Sequence, residues 1–261
     1  AIAMQLPYFE QYAGNGPALL MVHGFLSSRA QWLANLDALR QVCSPVVIEL
    51  FGHGRAASPI DSACYQPDYY VAAFDLIRQQ LGIERWSVLG YSLGAALTLR
   101  YSLTHPSHTQ AQVFTNSTSA FAEPAVTAHF RKNAQQLILQ YETGGLDAIN
   151  AIAVHPRHAK RIPEPWKAQL LADCQQLSPG GVGRTLAHTN GNASVRDLIK
   201  NNQVPTLLVQ GTREARFEPF RVYAEATMPN LEIVTVDAGH AVNLEAIDAF
   251  NTTVTDFLRR H

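Results

Sequence analysis

The sequence predicts an α/β fold in which a mostly parallel central sheet carries helices on both faces. Short apolar runs rich in β-branched residues alternate with amphipathic stretches of helical length. Strands that are apolar throughout are typical of parallel sheets buried on both faces. With 261 residues the chain is long enough to bury one large core. Its composition supplies the side chains for such a core, because 47% of the residues are hydrophobic and only 16% are charged.

The first part of the chain gives this alternation most clearly. Its apolar runs predict strands at residues 18–22, 45–50, 86–90 and 111–115. Apolar residues at helical spacing predict the helices between them, at residues 32–39, 71–81 and 93–104. We therefore expect three consecutive βα units before residue 116, followed by a fourth strand.

The alternation stops after Asn116. Residues 117–203 show helical patterns without a convincing strand, and they carry nine Lys and Arg against six Asp and Glu, a net charge of +3. A strand at 205–210, a helix near 218–227 and a strand at 231–236 then follow. The closing helix is predicted from apolar residues on one face, Leu244, Ile247, Phe250, Val254 and Phe257. We predict a core of residues 1–116 and 204–261 and a helical insertion of residues 117–203.

Charge and hydropathy exclude several classes of partner. The 20 Lys and Arg nearly balance the 21 Asp and Glu, so no overall positive field would attract nucleic acid or an anionic membrane. No apolar run approaches the ~20 residues of a membrane span. Residues 1–5 lack the charged and apolar regions of a signal peptide. We expect a cytoplasmic protein that acts on a small molecule, and its oligomeric state stays open.

The three cysteines do not suggest a metal or disulfide framework. Cys43, Cys64 and Cys174 are few and widely spaced, without the close pairing of a zinc site. Buried thiols are the simpler interpretation. We expect no metal and no cofactor.

The strongest functional signal is the G-x-S-x-G pattern at residues 90–94, between a predicted strand and a predicted helix. A serine in such a sharp turn needs glycine two positions away on each side, because larger side chains would collide. The turn exposes the hydroxyl, and the following helix offers free N–H groups to a developing oxyanion. We predict Ser92 as a catalytic nucleophile.

A serine hydroxyl needs a general base, and His240 is the preferred candidate among the ten histidines. It follows the last predicted strand, at the sheet edge where α/β enzymes place their chemistry. It also fits the chain order serine, acid, histidine. The histidines of the insertion and the tail, His155 among them, are expected on the solvated surface.

The acid of this arrangement is expected after the strand at 205–210, where the chain contains no aspartate. Glu214 has the position to orient the His240 imidazole, although its extra methylene requires a shifted backbone. Glu218 and an acid elsewhere in the chain remain alternatives.

The oxyanion donors are predicted at two strand ends. The backbone N–H groups of Phe25 and Leu93 would converge on the substrate oxygen. His23, just before Phe25, is interpreted as a residue that stabilises the turn, and His53 in the Gly52-His53-Gly54 turn is interpreted in the same way.

Taken together, Ser92, Glu214, His240 and the two histidine-containing turns, His23-Gly24-Phe25 and Gly52-His53-Gly54, resemble the α/β-hydrolase superfamily over nearly the whole chain. The resemblance implies that residues 117–203 form a helical cap, or lid. The serine at the nucleophile position excludes the aspartate-based chemistry of haloalkane dehalogenases and epoxide hydrolases in this superfamily.

One group within the superfamily is similar in more detail. Residues 211–217, Gly-Thr-Arg-Glu-Ala-Arg-Phe, resemble the G-x-x-D-x-[KR]-F segment of the menaquinone-pathway enzymes that form 2-succinyl-6-hydroxy-2,4-cyclohexadiene-1-carboxylate. Glu214 replaces their aspartate, and Ala96 stands where they have a substrate-binding arginine. A polycarboxylate substrate would lose a charge-assisted contact at Ala96, unless Arg131, Arg157 or Arg184 of the insertion supplied one.

The favoured function is a serine hydrolase that cleaves a small ester through an acyl-enzyme on Ser92. Apolar residues of the insertion, Leu137, Ile138, Trp166 and Leu170, are candidates for the pocket wall, although residues of this kind more often form the core of the cap itself. The alternatives are a lyase or a C–C bond hydrolase of the same fold, and a member that binds without catalysis, although such members usually lose one of the catalytic residues.

Overall fold

The central sheet has seven strands in the order β1-β3-β2-β4-β5-β6-β7. A computed structural model describes residues 3–261 of the chain. Ala1 and Ile2 lie outside the described residues. The predicted core and the predicted absence of a signal peptide both include these two positions. The strands are β1 (Tyr8–Gln11), β2 (Ala18–Val22), β3 (Ser44–Glu49), β4 (Trp86–Gly90), β5 (Thr109–Thr115), β6 (Thr206–Gly211) and β7 (Leu231–Val236).

Every strand pair in this sheet is parallel except β1 with β3. The predicted α/β class is therefore confirmed, although the prediction did not include β1. This short edge strand is only partly buried, so it lacks the continuous apolar run that marks the inner strands. The parallel register pairs Val22 with Gly90 and Gly90 with Phe114, and so brings the carboxyl ends of β2, β4 and β5 to one edge.

Helices pack on both faces of the sheet. In the described residues the α-helical segments are α1 (Leu36–Leu39), α2 (Pro67–Gln80), α3 (Leu93–Thr104), α4 (Thr118–Phe121), α5 (Pro124–Lys132), α6 (Ala134–Asn150), α7 (Glu164–Cys174), α8 (Pro179–Arg184), α9 (Glu218–Thr227), α10 (Val242–Glu245) and α11 (Ile247–Arg260). Short 3-10 turns lie at Arg29–Gln31, Ser62–Tyr65, Pro106–His108, Pro156–His158, Asn190–Asn192, Ile199–Asn201 and Ala215–Phe217, and a π-helical turn at Thr185–Thr189.

Alternating side chains of the strands divide the core into two clusters. Leu20 and Val22 of β2 share one cluster with residues of α2 and α3, including Phe74. Leu19 and Met21 of the same strand share the other with residues of α1 and α11. This division follows from the two-residue period of a strand, which sends neighbouring side chains to opposite faces.

Two predicted helices differ from the structure. Residues 32–39 form a turn followed by the single-turn helix α1, rather than one continuous helix. Asn35 in this segment is fully buried and donates hydrogen bonds to Asn243 and Asn251. The predicted closing helix is split, because Ala246 has non-helical dihedral angles between α10 and α11. Leu244 therefore belongs to α10, while Phe250 lies on the buried face of α11.

Residues 117–203 contain α4 to α8 and no strand among the described residues. A separate cluster of buried side chains, including Tyr141, Ile149 and Val182, joins α6 and α8 to Leu26 in the loop after β2. The division into a core and a cap stays a prediction, and its boundaries fall between the end of β5 and the start of β6.

The three cysteines are free and buried. Burial raises the pKa of the Cys43 and Cys174 thiols to about 12, so both stay protonated near neutral pH. None of the helices within residues 3–261 is both long and apolar enough to cross a bilayer.

Candidate active site

Ser92 lies in a strained turn between β4 and α3. Its backbone has φ 53° and ψ −117°, a conformation that L-residues rarely adopt. Gly90 and Gly94, on either side of Ser92, leave no room for a larger side chain. A Cβ atom on Gly90 would lie 2.3 Å from Oγ1 of Thr98, and one on Gly94 would lie 2.2 Å from the carbonyl oxygen of Val22. The G-x-S-x-G spacing thus matches the crowding around the turn.

The His240 imidazole lies between Ser92 and Glu214. Its Nε2 is 2.9 Å from Oγ of Ser92, and its Nδ1 is 3.0 Å from Oε1 and 2.9 Å from Oε2 of Glu214. With a proton on Nδ1 donated to the carboxylate, Nε2 is free to accept the Ser92 hydroxyl proton. The structure therefore brings together all three residues of the predicted Ser–His–acid set.

Glu214 is held ionised by its partners. Burial alone would raise the pKa of this carboxyl, but the hydrogen bonds from His240 and Asn116 and the charge of Arg216 hold it below its ordinary value. The alternative acid, Glu218, bonds instead to Gln210 and Arg221. Glu218 is therefore excluded as the partner of His240 in this arrangement.

Asn116 is a site residue that the sequence analysis did not assign. Its Nδ2 donates to Glu214 Oε1 at 3.1 Å and to the carbonyl oxygen of Gly211 at 2.9 Å, while its Oδ1 accepts from the Gly211 N–H at 3.1 Å. The signal that could have found it is its place at the end of β5, next to the loop that carries Glu214.

The predicted oxyanion donors face the same cavity as Ser92. Phe25 and Leu93 both line it, and within residues 3–261 neither backbone N–H has an acceptor. Leu26, the next residue after Phe25, has φ 65°, and its N–H donates to Nε2 of His53 at 3.1 Å. His53 therefore anchors the loop that presents Phe25.

His23 and His53 are buried residues of the turns, as their interpretation from the sequence proposed. Nε2 of His23 accepts from the Leu50 N–H at 3.1 Å, and each Nδ1 lies within 2.9 Å of a backbone carbonyl oxygen. Burial lowers the pKa of His23 to about 4 and that of His53 to about 3. Both imidazoles are neutral near pH 7 and serve as backbone acceptors.

The cavity above Ser92 has a volume of about 510 Å³ and is lined by residues from both the core and the insertion. Of the predicted apolar lining residues, only Leu170 lines it. Trp166 packs against the core cluster of α11, Leu137 packs in the cluster of the insertion, and Ile138 borders a separate surface groove. Trp166 and Leu137 are therefore packing residues, the more usual role for such side chains, and helical spacing alone does not reveal which neighbour a helix face meets.

The cations at the cavity also differ from those considered in the sequence. Arg131 bonds to backbone oxygens of Pro124 and Gly191, and Arg184 faces Glu142. Arg157 is exposed and is not among the residues that line the cavity. The cavity is lined instead by Lys160, Arg161 and Arg216. His155, expected on the solvated surface, is only 3% exposed and lines the cavity as well.

One cluster in the described residues has the composition of a metal site: Asp75, His105 and His108. Its carboxylate already accepts hydrogen bonds from Arg78, Tyr101 and Gln79. A cation would have to compete with the Arg78 guanidinium there, so the donor set suits an ion-pair cluster better than a metal.

Comparison with known proteins identifies related sequences and structures. A sequence model of the α/β hydrolase fold matches residues 17–247. A Bacillus subtilis protein provisionally named 2-succinyl-6-hydroxy-2,4-cyclohexadiene-1-carboxylate synthase is 24% identical over 256 residues, which cover 94% of this chain and 93% of that protein. Carboxylesterase YbfK of Bacillus subtilis is 23% identical over 253 residues, with 94% and 81% covered.

A solved structure, that of MenH from S. aureus, covers 97% of this chain and 98% of its own with a TM-score of 0.83 at 20% identity. At this identity the likeness bears on the fold alone. The family match extends over most of the sequence and agrees with the strand order and the Ser92 turn. The chain therefore belongs to the α/β-hydrolase fold family.

Proposed function

We propose that this protein is a serine esterase that cleaves a small carboxylic ester, with residues 117–203 as a cap over the site. The observation that carries the proposal is the continuous contact from Glu214 through His240 to Ser92, with 2.9 Å at the nucleophile. A cavity of about 510 Å³ at this contact lies in the usual range for small-molecule ligands.

The proposed reaction begins when Ser92 Oγ attacks the ester carbonyl and Nε2 of His240 accepts the hydroxyl proton. Negative charge develops on the carbonyl oxygen, where the N–H groups of Phe25 and Leu93 donate. The imidazolium then gives its proton to the departing alkoxide, which leaves the acyl group on Ser92. Water attacks this acyl-enzyme with His240 again as the base, and the proton finally returns to Ser92.

Glu214 acts in this scheme through the imidazole. Its carboxylate fixes the tautomer with the proton on Nδ1 and stabilises the cation that forms at His240. The lowered pKa of Glu214 keeps it negative at neutral pH, as this role requires. Similarity to a carboxylesterase over most of both chains supports ester cleavage as the reaction class.

A second candidate is a lyase or C–C bond hydrolase that uses the same three residues. Two observations favour it: the similarity to the named synthase and the presence of Lys160 and Arg161 at the cavity. Against it, Ala96 is fully buried and supplies no cation near the nucleophile.

The test is hydrolysis of p-nitrophenyl esters from acetate to decanoate by the wild type, Ser92→Ala and Ser119→Ala. Ser119 lines the same cavity and is the matched control. We expect an optimum in acyl-chain length, a loss of about a millionfold in kcat for Ser92→Ala and a rate of the same order as wild type for Ser119→Ala. A folded wild type that reacts with a fluorophosphonate at Ser92 but hydrolyses no ester would favour the second candidate.

A further inference from the structure

His240 lies on a short irregular segment between the end of β7 at Val236 and the start of α10 at Val242. The regular hydrogen bonds of a strand or a helix do not extend through this segment. The imidazole must nevertheless keep Nε2 2.9 Å from the Ser92 hydroxyl while Nδ1 faces Glu214. A displacement of about 1 Å in such a contact can cost on the order of a hundredfold in rate. The backbone that carries the imidazole therefore needs support from another part of the chain.

The side chain of Glu245 contacts this backbone at two points. Its Oε1 accepts the Gly239 N–H at 2.9 Å, and its Oε2 accepts the Ala241 N–H at 3.2 Å. The two donors belong to the residues immediately before and after His240, so one carboxylate spans the backbone of the proposed general base. Hydrogen bonds to an ionised carboxylate are about twice as strong as those between neutral groups, which makes this pair an effective support.

Capping of helix α10 accounts for only one of these two bonds. Ala241 is the N-cap residue of this helix, and a glutamate of the first turn that reaches back to the N-cap N–H is an ordinary capping arrangement. Gly239 lies two residues before the N-cap, on the other side of His240, and its N–H does not belong to the helix. The bond to Gly239 therefore ties the carboxylate to the histidine loop and not to the helix alone.

The absence of a side chain at Gly239 permits the close approach of the carboxylate. A Cβ atom on Gly239 would lie 2.8 Å from Oε2, 3.0 Å from Oε1 and 3.3 Å from Cδ of Glu245. These three nearest atoms all belong to the glutamate side chain, so the crowding at this glycine comes from the carboxylate. A larger residue at this position would push the carboxylate away from the loop.

Helix α10, which carries Glu245, is itself anchored in the core. Its residue Asn243 is fully buried, and Nδ2 of this side chain donates to the carbonyl oxygen of Gln31 at 2.6 Å and to Oδ1 of Asn35 at 2.9 Å. Oδ1 of Asn243 accepts from Nε2 of Gln31 at 2.9 Å. The carboxylate is thus presented from a fixed helix, and its two bonds transmit that position to the histidine loop.

We propose that Glu245 is a positioning residue for the reaction at Ser92. Its carboxylate holds the backbone on both sides of His240, so that Nε2 stays within reach of the serine hydroxyl. Glu214 orients the ring from the Nδ1 side, whereas Glu245 fixes the backbone that carries the ring. The inference rests on the proposed function, because it takes His240 as the base that activates Ser92.

The experiment measures the rate at which a fluorophosphonate labels Ser92, and the hydrolysis of p-nitrophenyl acetate, in wild type and three variants. Glu245→Ala should lower the labelling rate and kcat by on the order of a hundredfold, with KM changed by less than about threefold. Glu245→Gln keeps one oxygen acceptor and should recover about tenfold of this loss. Asp248→Ala removes an exposed carboxylate of the first turn of α11 and is the matched control, with rates equal to those of wild type.

A further variant breaks the contact without removing the carboxylate. Gly239→Ala should lower both rates by about tenfold, because the added methyl group displaces the Glu245 side chain. In the Glu245→Ala background the same substitution no longer meets a carboxylate and should cost little more, so the two effects should not add. Thermal unfolding verifies that each variant is folded. If Glu245→Ala is unfolded, Glu245→Gln and Gly239→Ala decide the test.

The labelling rate separates this inference from the proposed function. If wild type is labelled at Ser92 but hydrolyses no ester, slow labelling of the Glu245 variants supports the positioning role while the esterase function fails. If the folded Glu245 and Gly239 variants are labelled and hydrolyse the ester at wild-type rates, the positioning role is overturned and the esterase function stands. A lower unfolding temperature with unchanged rates also overturns it, because Glu245 would then only cap α10. A folded wild type that is not labelled at Ser92 overturns both.

Discussion

Asn116 at the end of β5 donates from Nδ2 to Oε1 of Glu214 at 3.1 Å, the same oxygen that lies 3.0 Å from Nδ1 of His240. The asparagine also bonds both backbone groups of Gly211, at the end of β6. It therefore links the strand before the insertion to the loop that carries the proposed acid, and it fixes where the Glu214 carboxylate lies.

We predict that Asn116→Ala lowers kcat by about tenfold with little change in KM, because Glu214 loses a charge-assisted hydrogen bond. Steady-state kinetics and thermal unfolding of the variant separate the effect on kcat from any effect on stability. A loss of stability with an unchanged kcat would show that Asn116 has only a structural role.

Glu214 itself should be less critical than Ser92. We expect Glu214→Ala to retain activity on the order of a hundredfold above Ser92→Ala, because an imidazole without its orienting carboxylate still accepts a proton. Glu218→Ala is the matched control, since it removes a nearby carboxylate that bonds to Arg221 instead of His240. Equal activity of Glu214→Ala and Glu218→Ala would place the catalytic acid elsewhere.

His53 is expected to act on the oxyanion site from a distance. Its Nε2 accepts the Leu26 N–H, next to the proposed donor Phe25. His53→Leu removes this acceptor and should lower kcat by about tenfold, with a smaller effect on KM. The affinity for a boronic acid that mimics the tetrahedral intermediate should fall by the same factor as kcat/KM. An unchanged affinity would confine His53 to a role in stability.

Much of the fold could be predicted from local sequence, because the inner strands and the Ser92 turn each depend on the residue types of one short segment. The run at 18–22 is buried on both faces, so its apolar character alone marks β2. The glycines around Ser92 are dictated by contacts within the turn and with β2. In contrast, β1 lies at the sheet edge and is half exposed, so its four residues carry no comparable pattern.

The parts of the site that escaped prediction depend on contacts between distant segments. The apolar pattern left open whether Trp166 lines the pocket or packs in a core, and in the structure it packs against a core cluster. Lys160, Arg161 and His155 line the cavity only because the insertion returns over Ser92. Helical or turn patterns give the local conformation of such residues. Such patterns do not reveal that these residues will lie near Ser92, more than 60 positions earlier in the chain.

The two buried histidines of the turns predict how stability depends on pH. The folded-state pKa is lowered to about 4 for His23 and about 3 for His53, whereas both titrate near ~6.5 in an unfolded chain. Between these values the unfolded state binds more protons, so the free energy of unfolding must fall as the pH is lowered. Each histidine adds a slope of up to ~1.4 kcal/mol per pH unit well below ~6.5.

Urea unfolding at intervals between about pH 7.5 and pH 5 measures this slope above the range where carboxylates titrate. Glu214 does not contribute in this window: its pKa is lowered, so its stabilisation is complete above the ordinary carboxyl pKa and is lost only at lower pH. His23→Leu should be less stable than wild type at neutral pH, because the Leu50 N–H loses its acceptor. Its stability should also fall less steeply with acid, and a slope equal to that of wild type would mean that His23 is not the neutral acceptor described here.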